Sequence, residues 1–239
     1  MFRNKATGGN ESDNGFGCLF YGGLLTDSEV DTLSNIIHDY AVAVDINNEW
    51  WTDTLADFDF EGSTYKENGN WLAAAGTPDP NYAIAPIAGT QSLEIDVSER
   101  AGLSIPMYSG NISVYFKIRF TDATPGANTE YVFLKNGATA LAYLKLYTTG
   151  RTLLTSGGKT SYGTTVKSDA TVYNIWVDYV VGVGSNSSCS VYLSLTDTKP
   201  ETPECIITEG SATLKPNYIE FYSNVNHAQY VVDDLLITE

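Results

Sequence analysis

The chain has 239 residues, 43% of them hydrophobic, and sets 13 Lys and Arg against 29 Asp and Glu for a net charge of −16. A chain of this length buries roughly 70–75% of its unfolded surface, so it needs no disulfide or metal staple, and its apolar mass excludes a disordered polyelectrolyte. The acidic balance argues against a general nucleic-acid binder, which needs clustered Lys and Arg against phosphates, and against adsorption to anionic membranes.

The N-terminal stretch from Met1 to Asn10 lacks the apolar core of a signal peptide, and no run approaches the ~18 apolar residues of a membrane span. The first ~16 residues are rich in Gly, Asn and Ser and read as an arm or linker. Thr26-Asp27-Ser28-Glu29 then has the form of a capping box, in which the Thr26 hydroxyl and the Glu29 carboxylate satisfy each other's backbone amides. Val30, Leu33, Ile36, Ile37, Tyr40 and Val44 follow at three- and four-residue steps, the apolar stripe of one amphipathic helix. Such a stripe must pack on its own domain or on a partner chain, and we read residues 1–48 as an assembly or anchor segment.

Past Asn47-Asn48 the hydrophobic period changes from 3.6 to 2. Ile112, Val114, Phe116, Ile118 and Phe120 alternate with Ser113, Tyr115, Lys117 and Arg119; Tyr173, Ile175, Val177, Tyr179 and Val181 make a second such face, opposed by Asn174, Trp176 and Asp178, and Val191, Leu193 and Leu195 make a third. Shorter candidate strands are 57–61, 92–97, 130–134, 138–147, 151–155, 204–208, 217–223 and 229–238. Turn residues separate them, among them Asn136-Gly137 and Ser156-Gly157-Gly158. About a dozen strands without βαβ alternation predict an antiparallel β-sandwich over residues 49–239. Cys18, Cys189 and Cys205 are too few and too widely spaced for a disulfide framework or a zinc site. Cys189 falls in a strand and reads as a small buried hydrophobe.

Phe58-Asp59-Phe60-Glu61-Gly62, Trp71, Ser92-Leu93-Glu94-Ile95, the long strand 111–120, Tyr173 to Tyr179, and the ending Tyr230-Val231-Val232-Asp233-Asp234-Leu235-Leu236-Ile237 occur in order. Together they resemble the concanavalin A-like lectin/glucanase jelly rolls, the group that includes laminin G-like modules. The resemblance implies an all-β, antiparallel jelly-roll sandwich behind a short N-terminal helical segment. Phe20 to Val30 is similar to a tail that follows laminin G-like modules in tailed-phage virion proteins, although here it precedes the β domain.

Several residue groups carry candidate chemistry. Trp50, Trp51, Trp71, Tyr82, Tyr108 and Trp176 lie in loop-like stretches or alternate outward and could stack on sugar rings; large aromatics also fill cores and interfaces. Asp57, Asp59 and Glu61 on the opening strand, with Asp233 and Asp234 on the closing one, are candidate oxygen ligands for a structural calcium, set against chance clustering among 29 acids. Glu94-Ile95-Asp96-Val97-Ser98-Glu99 has the E-x-D-x-x-E form of laminarinase-type glycoside hydrolases, whose resemblance implies three carboxylates on one face of a bulged strand. It precedes the long strand instead of following it, so we expect Leu93, Ile95 and Val97 to point inward with the acids solvated. His38 and His227 have no nucleophile elbow beside them, and Gly157-Gly158-Lys159-Thr160 reads as a hairpin turn and not a phosphate loop.

The expectation that follows is a non-enzymatic virion structural protein of a bacteriophage: a head or tail fibre, spike or decoration protein, assembled in the host cytoplasm. It would be a homo-oligomer, a trimer by preference, with other virion proteins and host-surface glycans as partners and no nucleic acid or membrane. The alternatives are a stand-alone carbohydrate-binding module and a laminarinase-type glycoside hydrolase.

Overall fold

The computed structural model describes residues 54–61, 72–105, 111–182, 187–210, 214–224 and 229–238. Contacts divide the chain into two compact units, Met1–Asn48 and Glu49–Glu239, and the described residues all belong to the second. The predicted helix stripe Val30 to Val44 therefore lies outside them.

Fifteen strands and no helix form among the described residues. They are β1 (Thr54–Phe58), β2 (Leu72–Ala75), β3 (Asp79–Tyr82), β4 (Ser92–Ile95), β5 (Arg100–Ser104), β6 (Ile112–Phe120), β7 (Thr129–Asn136) and β8 (Thr139–Leu146). The rest are β9 (Thr152–Ser156), β10 (Lys159–Tyr162), β11 (Val172–Val180), β12 (Ser187–Ser194), β13 (Cys205–Gly210), β14 (Tyr218–Tyr222) and β15 (Tyr230–Thr238). The larger sheet runs β13-β12-β11-β6-β15-β4-β3, with β1 also on β15; the smaller runs β10-β9-β8-β7-β14-β5-β2. Every pairing is antiparallel. The fold is the all-β sandwich that the change of period predicts.

Alternation builds the core. On β6 every second residue from Ile112 to Phe120 is buried and its neighbours are half-buried, so one face meets the opposite sheet. Phe116 meets Phe221 of the smaller sheet edge-on at 5.3 Å, and Phe120 meets Tyr131 likewise at 5.3 Å. Each such side chain contributes about 1.5–3 kcal/mol when fully buried. Cys189 and Cys205 are free thiols in this core, and burial raises both pKa values, that of Cys205 to about 11. The β9–β10 hairpin closes at Ser156 opposite Lys159, with Gly157 and Gly158 both at positive φ (56° and 75°), the two-residue turn whose twist matches its strands.

Three details differ from expectation. The opening strand ends at Phe58, because Phe60 adopts φ 54°; the alternation that would align Asp57, Asp59 and Glu61 stops there. The 92–97 strand ends at Ile95, and Ser98 at φ 68° turns the chain, leaving Val97 45% exposed instead of inward. β2, β3, β5 and β10 are strands that the sequence did not announce. β3 carries Pro80 and sits at a sheet edge, where a missing N–H costs no ladder bond.

Candidate functional site

The two outer faces of the sandwich carry different chemistry. Across the larger sheet Tyr192, Trp176, Tyr115 and Leu236 are direct partners on four adjacent strands and so share one face. Tyr115 and Trp176 pack at 5.0 Å between ring centroids, and the Tyr115 hydroxyl donates to Asn174 Oδ1 at 2.8 Å. Partial burial pushes the Tyr115 pKa up to about 12, so it stays a phenol. Ser113, Tyr115, Trp176, Lys199, Leu236 and Thr238 line an open pocket of about 240 Å³, below the ~300–1,000 Å³ of drug-sized sites. Its cation is neutralised: Lys199 Nζ lies 2.8 and 2.6 Å from the two Asp178 oxygens. Trp176 does alternate away from the core, as expected, yet its neighbours leave it only 9% exposed.

The smaller sheet presents a broader aromatic face. The sequence Tyr218-Ile219-Glu220-Phe221-Tyr222 sends Ile219 and Phe221 into the core and leaves Tyr218, Glu220 and Tyr222 on the outside of β14. Glu220 is the direct partner of Phe133 on β7 and of Gly102 on β5, and Phe133 is the partner of Tyr143 on β8. Phe133 lies 5.3 Å from Tyr143 and 5.9 Å from Tyr222 between centroids. All four aromatics are half-buried, with part of each ring left to solvent.

Cations interleave these rings. Arg100 sits 4.2 Å above Tyr222, Lys135 5.0 Å above Phe133, and Lys145 5.2 Å above Tyr143, geometry in which a ring face attracts a cation. Glu220, 5% exposed, accepts from Lys135 at 2.7 Å and faces Arg100 at 3.9 Å. Lys145 pairs with Glu130 at 2.6 Å. Gly102 makes room for Tyr218: a Cβ there would fall 1.7 Å from the phenol oxygen, so the ring lies across β5. Burial, then the Glu220 charge, raises the Tyr218 pKa.

The remaining sequence candidates go elsewhere. Trp50, Trp51, Trp71, Tyr108, His38 and His227 lie outside the described residues. Tyr82 is on edge strand β3, with three strands between it and Trp176 on β11, so the structure does not bring these two together. The E-x-D-x-x-E segment spans the turn between β4 of the larger sheet and β5 of the smaller. There Glu99 accepts from the Asp96 amide at 2.8 Å and the Thr77 amide at 3.1 Å. Glu94 stays on β4, taking a hydrogen bond from the Gln229 amide group, and burial, with Asp79 and Asp96 nearby, raises its pKa. The three carboxylates therefore do not stand along one bulged strand.

Of the acids proposed for calcium, Asp59, Glu61, Asp233 and Asp234 are committed to donors, while the Asp57 side chain lies outside the described ones. Glu61 accepts from the Thr90 amide at 2.8 Å, the Thr90 hydroxyl at 2.5 Å and the Gln91 amide at 3.2 Å. These bonds, the Thr90 hydroxyl first, lower its pKa. Gly89 at φ 54° leaves space for that carboxylate, since a Cβ would fall 1.9 Å from it. Asp233 accepts from the Ala88 amide, the Ser92 hydroxyl and the Asp234 amide at 2.9, 2.7 and 2.9 Å. Asp234 pairs with Lys117 at 2.8 Å, and Asp59 takes the Glu61 amide. Calcium needs oxygen lone pairs turned toward it, so these donor-filled carboxylates do not fit the ion. Among the described residues no three His, Cys, Asp or Glu gather around a metal-sized space.

Sequence reading missed the smaller sheet's face. Its signal was present: Phe133-x-Lys135 and Tyr143-x-Lys145 each place an aromatic and a cation on the same side of a strand, and Tyr218-x-Glu220-x-Tyr222 places two aromatics and an acid on one side of another.

No family model matches the chain, and no curated protein matches its sequence. Among solved structures it is similar to the receptor-binding domain of botulinum neurotoxin mosaic serotype C/D, with TM-score 0.55 and 10% identity over 78% of this chain and 48% of that one. The binding domain of botulinum neurotoxin DC in complex with SialylT matches with TM-score 0.54 and 7% identity over the same shares, 78% and 48%. An endo-β-1,4-glucuronan lyase from the fungus Trichoderma reesei matches with TM-score 0.51 and 8% identity over 77% of this chain and 93% of that one. The chain spans about half the length of these neurotoxin domains. At such identities the likeness is one of fold, the β-sandwich.

Proposed function

We propose that this domain is a non-enzymatic glycan-binding module of the concanavalin A-like kind. The observation that carries the reading is the outer face of the smaller sheet, where Phe133, Tyr143, Tyr218 and Tyr222 present half-exposed rings beside Arg100, Lys135 and Lys145. Aromatic rings take the apolar faces of sugar rings, and the polar groups between them fix hydroxyls. The names of two structural neighbours support glycan binding: one is a binding domain in complex with SialylT, and another belongs to a neurotoxin whose cell entry depends on two ganglioside molecules. The division of E-x-D-x-x-E between strand and turn supports binding without hydrolysis.

Display on a bacteriophage virion is the finer form of the same reading. The similarity of Phe20 to Val30 to a phage tail segment supports it, as does a charge of −16, which opposes casual aggregation. In that role the protein is a trimer joined to other virion proteins through residues 1–48. A glycan array with the full chain tests the binding, with Tyr143→Ala and Tyr222→Ala expected to abolish it. Release of reducing ends or unsaturated sugars by the purified protein would overturn the non-enzymatic part. A monomer by light scattering that never co-sediments with phage particles would overturn the virion part.

A further inference from the structure

We infer that the glycan bound on the smaller sheet is acidic, a pyranose carrying a carboxylate, and that Arg100 is the residue that reads this group. The inference rests on the glycan reading above and names the ligand class.

The charge on this face runs against that of the chain. The whole sequence has more than two acids for each cation, 29 against 13. Around the aromatic band the described residues instead set Arg100, Lys135 and Lys145 against Glu130 and Glu220. Glu130 and Lys145 close on each other at 2.6 Å. Glu220 is shared, with Lys135 at 2.7 Å and Arg100 at 3.9 Å. Its carboxylate is committed to Lys135, so the pair of cations keeps one positive charge in excess, and that excess sits on the looser partner, Arg100.

Exposure follows the same division. The Glu220 side chain is 6% exposed and does not face a ligand, whereas that of Arg100 is 41% exposed. The Arg100 guanidinium is held 4.2 Å above Tyr222, which limits its rotamers and leaves its donor fork for a planar carboxylate. A sugar ring lying on Phe133 and Tyr222, 5.9 Å apart, brings a ring carboxylate within reach of that fork. The pocket on the larger sheet offers no such excess, because both Asp178 oxygens engage Lys199.

The test uses the full chain and two matched pairs of probes in calorimetry: sialyllactose and tri-galacturonate, each against its methyl ester. A charge-assisted contact to one carboxylate should make at least one acid bind about tenfold tighter than its neutral counterpart, and the advantage should shrink with added salt. Arg100→Gln should remove the advantage and leave the weaker neutral binding, with an unchanged circular-dichroism melt as the control for folding. Acids and neutral partners binding equally would overturn the inference and leave the glycan reading standing. Binding of none of the four would overturn both. Full acid preference in Arg100→Gln would overturn the role of Arg100, and the wild-type acid-to-ester ratio decides the ligand class even if that variant does not fold.

Discussion

The Lys167 ammonium donates to the Thr152 hydroxyl at 2.5 Å inside the sandwich, with 2% of the residue exposed. Its other neighbours are the Tyr173 ring at 6.0 Å and, at longer range, Glu204 and Cys205. Glu204 is itself held by the Thr165 amide and hydroxyl at 2.6 and 3.1 Å. Burial therefore dominates and pushes the Lys167 pKa down to about 8.

The consequence for stability has a definite sign. Below about pH 8 the lysine is charged both folded and unfolded, and its burial cost is present in full. Between there and its ordinary pKa near 10.5 the unfolded chain holds a proton that the native chain does not, so this group's contribution to stability rises with pH. Lys167→Met should stabilise the domain at pH 7 by up to ~3 kcal/mol, less the loss of the Thr152 contact. Urea melts of both proteins at several pH values check this: their difference should narrow as pH climbs through 8 to 10, and a constant gap would refute the assignment.

Asp233 is fully buried and its pKa is raised to about 6, chiefly by burial. The native state thus takes up a proton between about pH 4 and 6 that the unfolded state does not, and this carboxyl opposes stability as pH rises through that window. A carbon-13 titration of the Asp233 carboxyl should show a midpoint near 6. A midpoint in the ordinary range near 3.8 would contradict it.

Gly102→Ala should displace the Tyr218 ring, since the new methyl group would fall 1.7 Å from the phenol oxygen. We expect a stability cost of about 1–3 kcal/mol, the usual cost of overpacking, and weaker glycan binding. Double substitution with Tyr218→Ala should restore the stability but not the affinity, as read by thermal melts and calorimetry.

Asp234 occupies φ 47° in the bulge of β15 while pairing with Lys117. Asp234→Gly keeps the backbone and loses only the ion pair, so its effect should stay within ~1 kcal/mol. Asp234→Val forces a β-branched residue into the left-handed region at a further cost of roughly 1–2 kcal/mol. Equal melts for the two variants would show that the bulge carries no backbone requirement.

The sandwich was legible because β6 alternates without interruption, with shorter alternating stretches on β11 and β12, and period 2 requires one covered face. The aromatic band was not, because Glu220 meets Lys135 and Phe133 only after β14 pairs with β7, across more than eighty residues of chain. A sequence shows which residues lie on one side of a strand but not which strand lies next to it. Glu61 and Asp233 both bind the segment 88–92. What they hold is a loop, and the left-handed Phe60 and Asp234 that arrange this leave no periodic trace.

β15 sits in the middle of the larger sheet and pairs with β1, β4 and β6, every one of which precedes it by more than a hundred residues. A growing chain therefore makes both sides of this gap long before the strand that fills it. Until Tyr230–Thr238 arrives, β6 and β4 present open hydrogen-bonding edges, the kind that recruit strands from other chains. Folding of this sandwich should accordingly be slow and non-local, and the interval before closure is when its nascent copies are most exposed to one another.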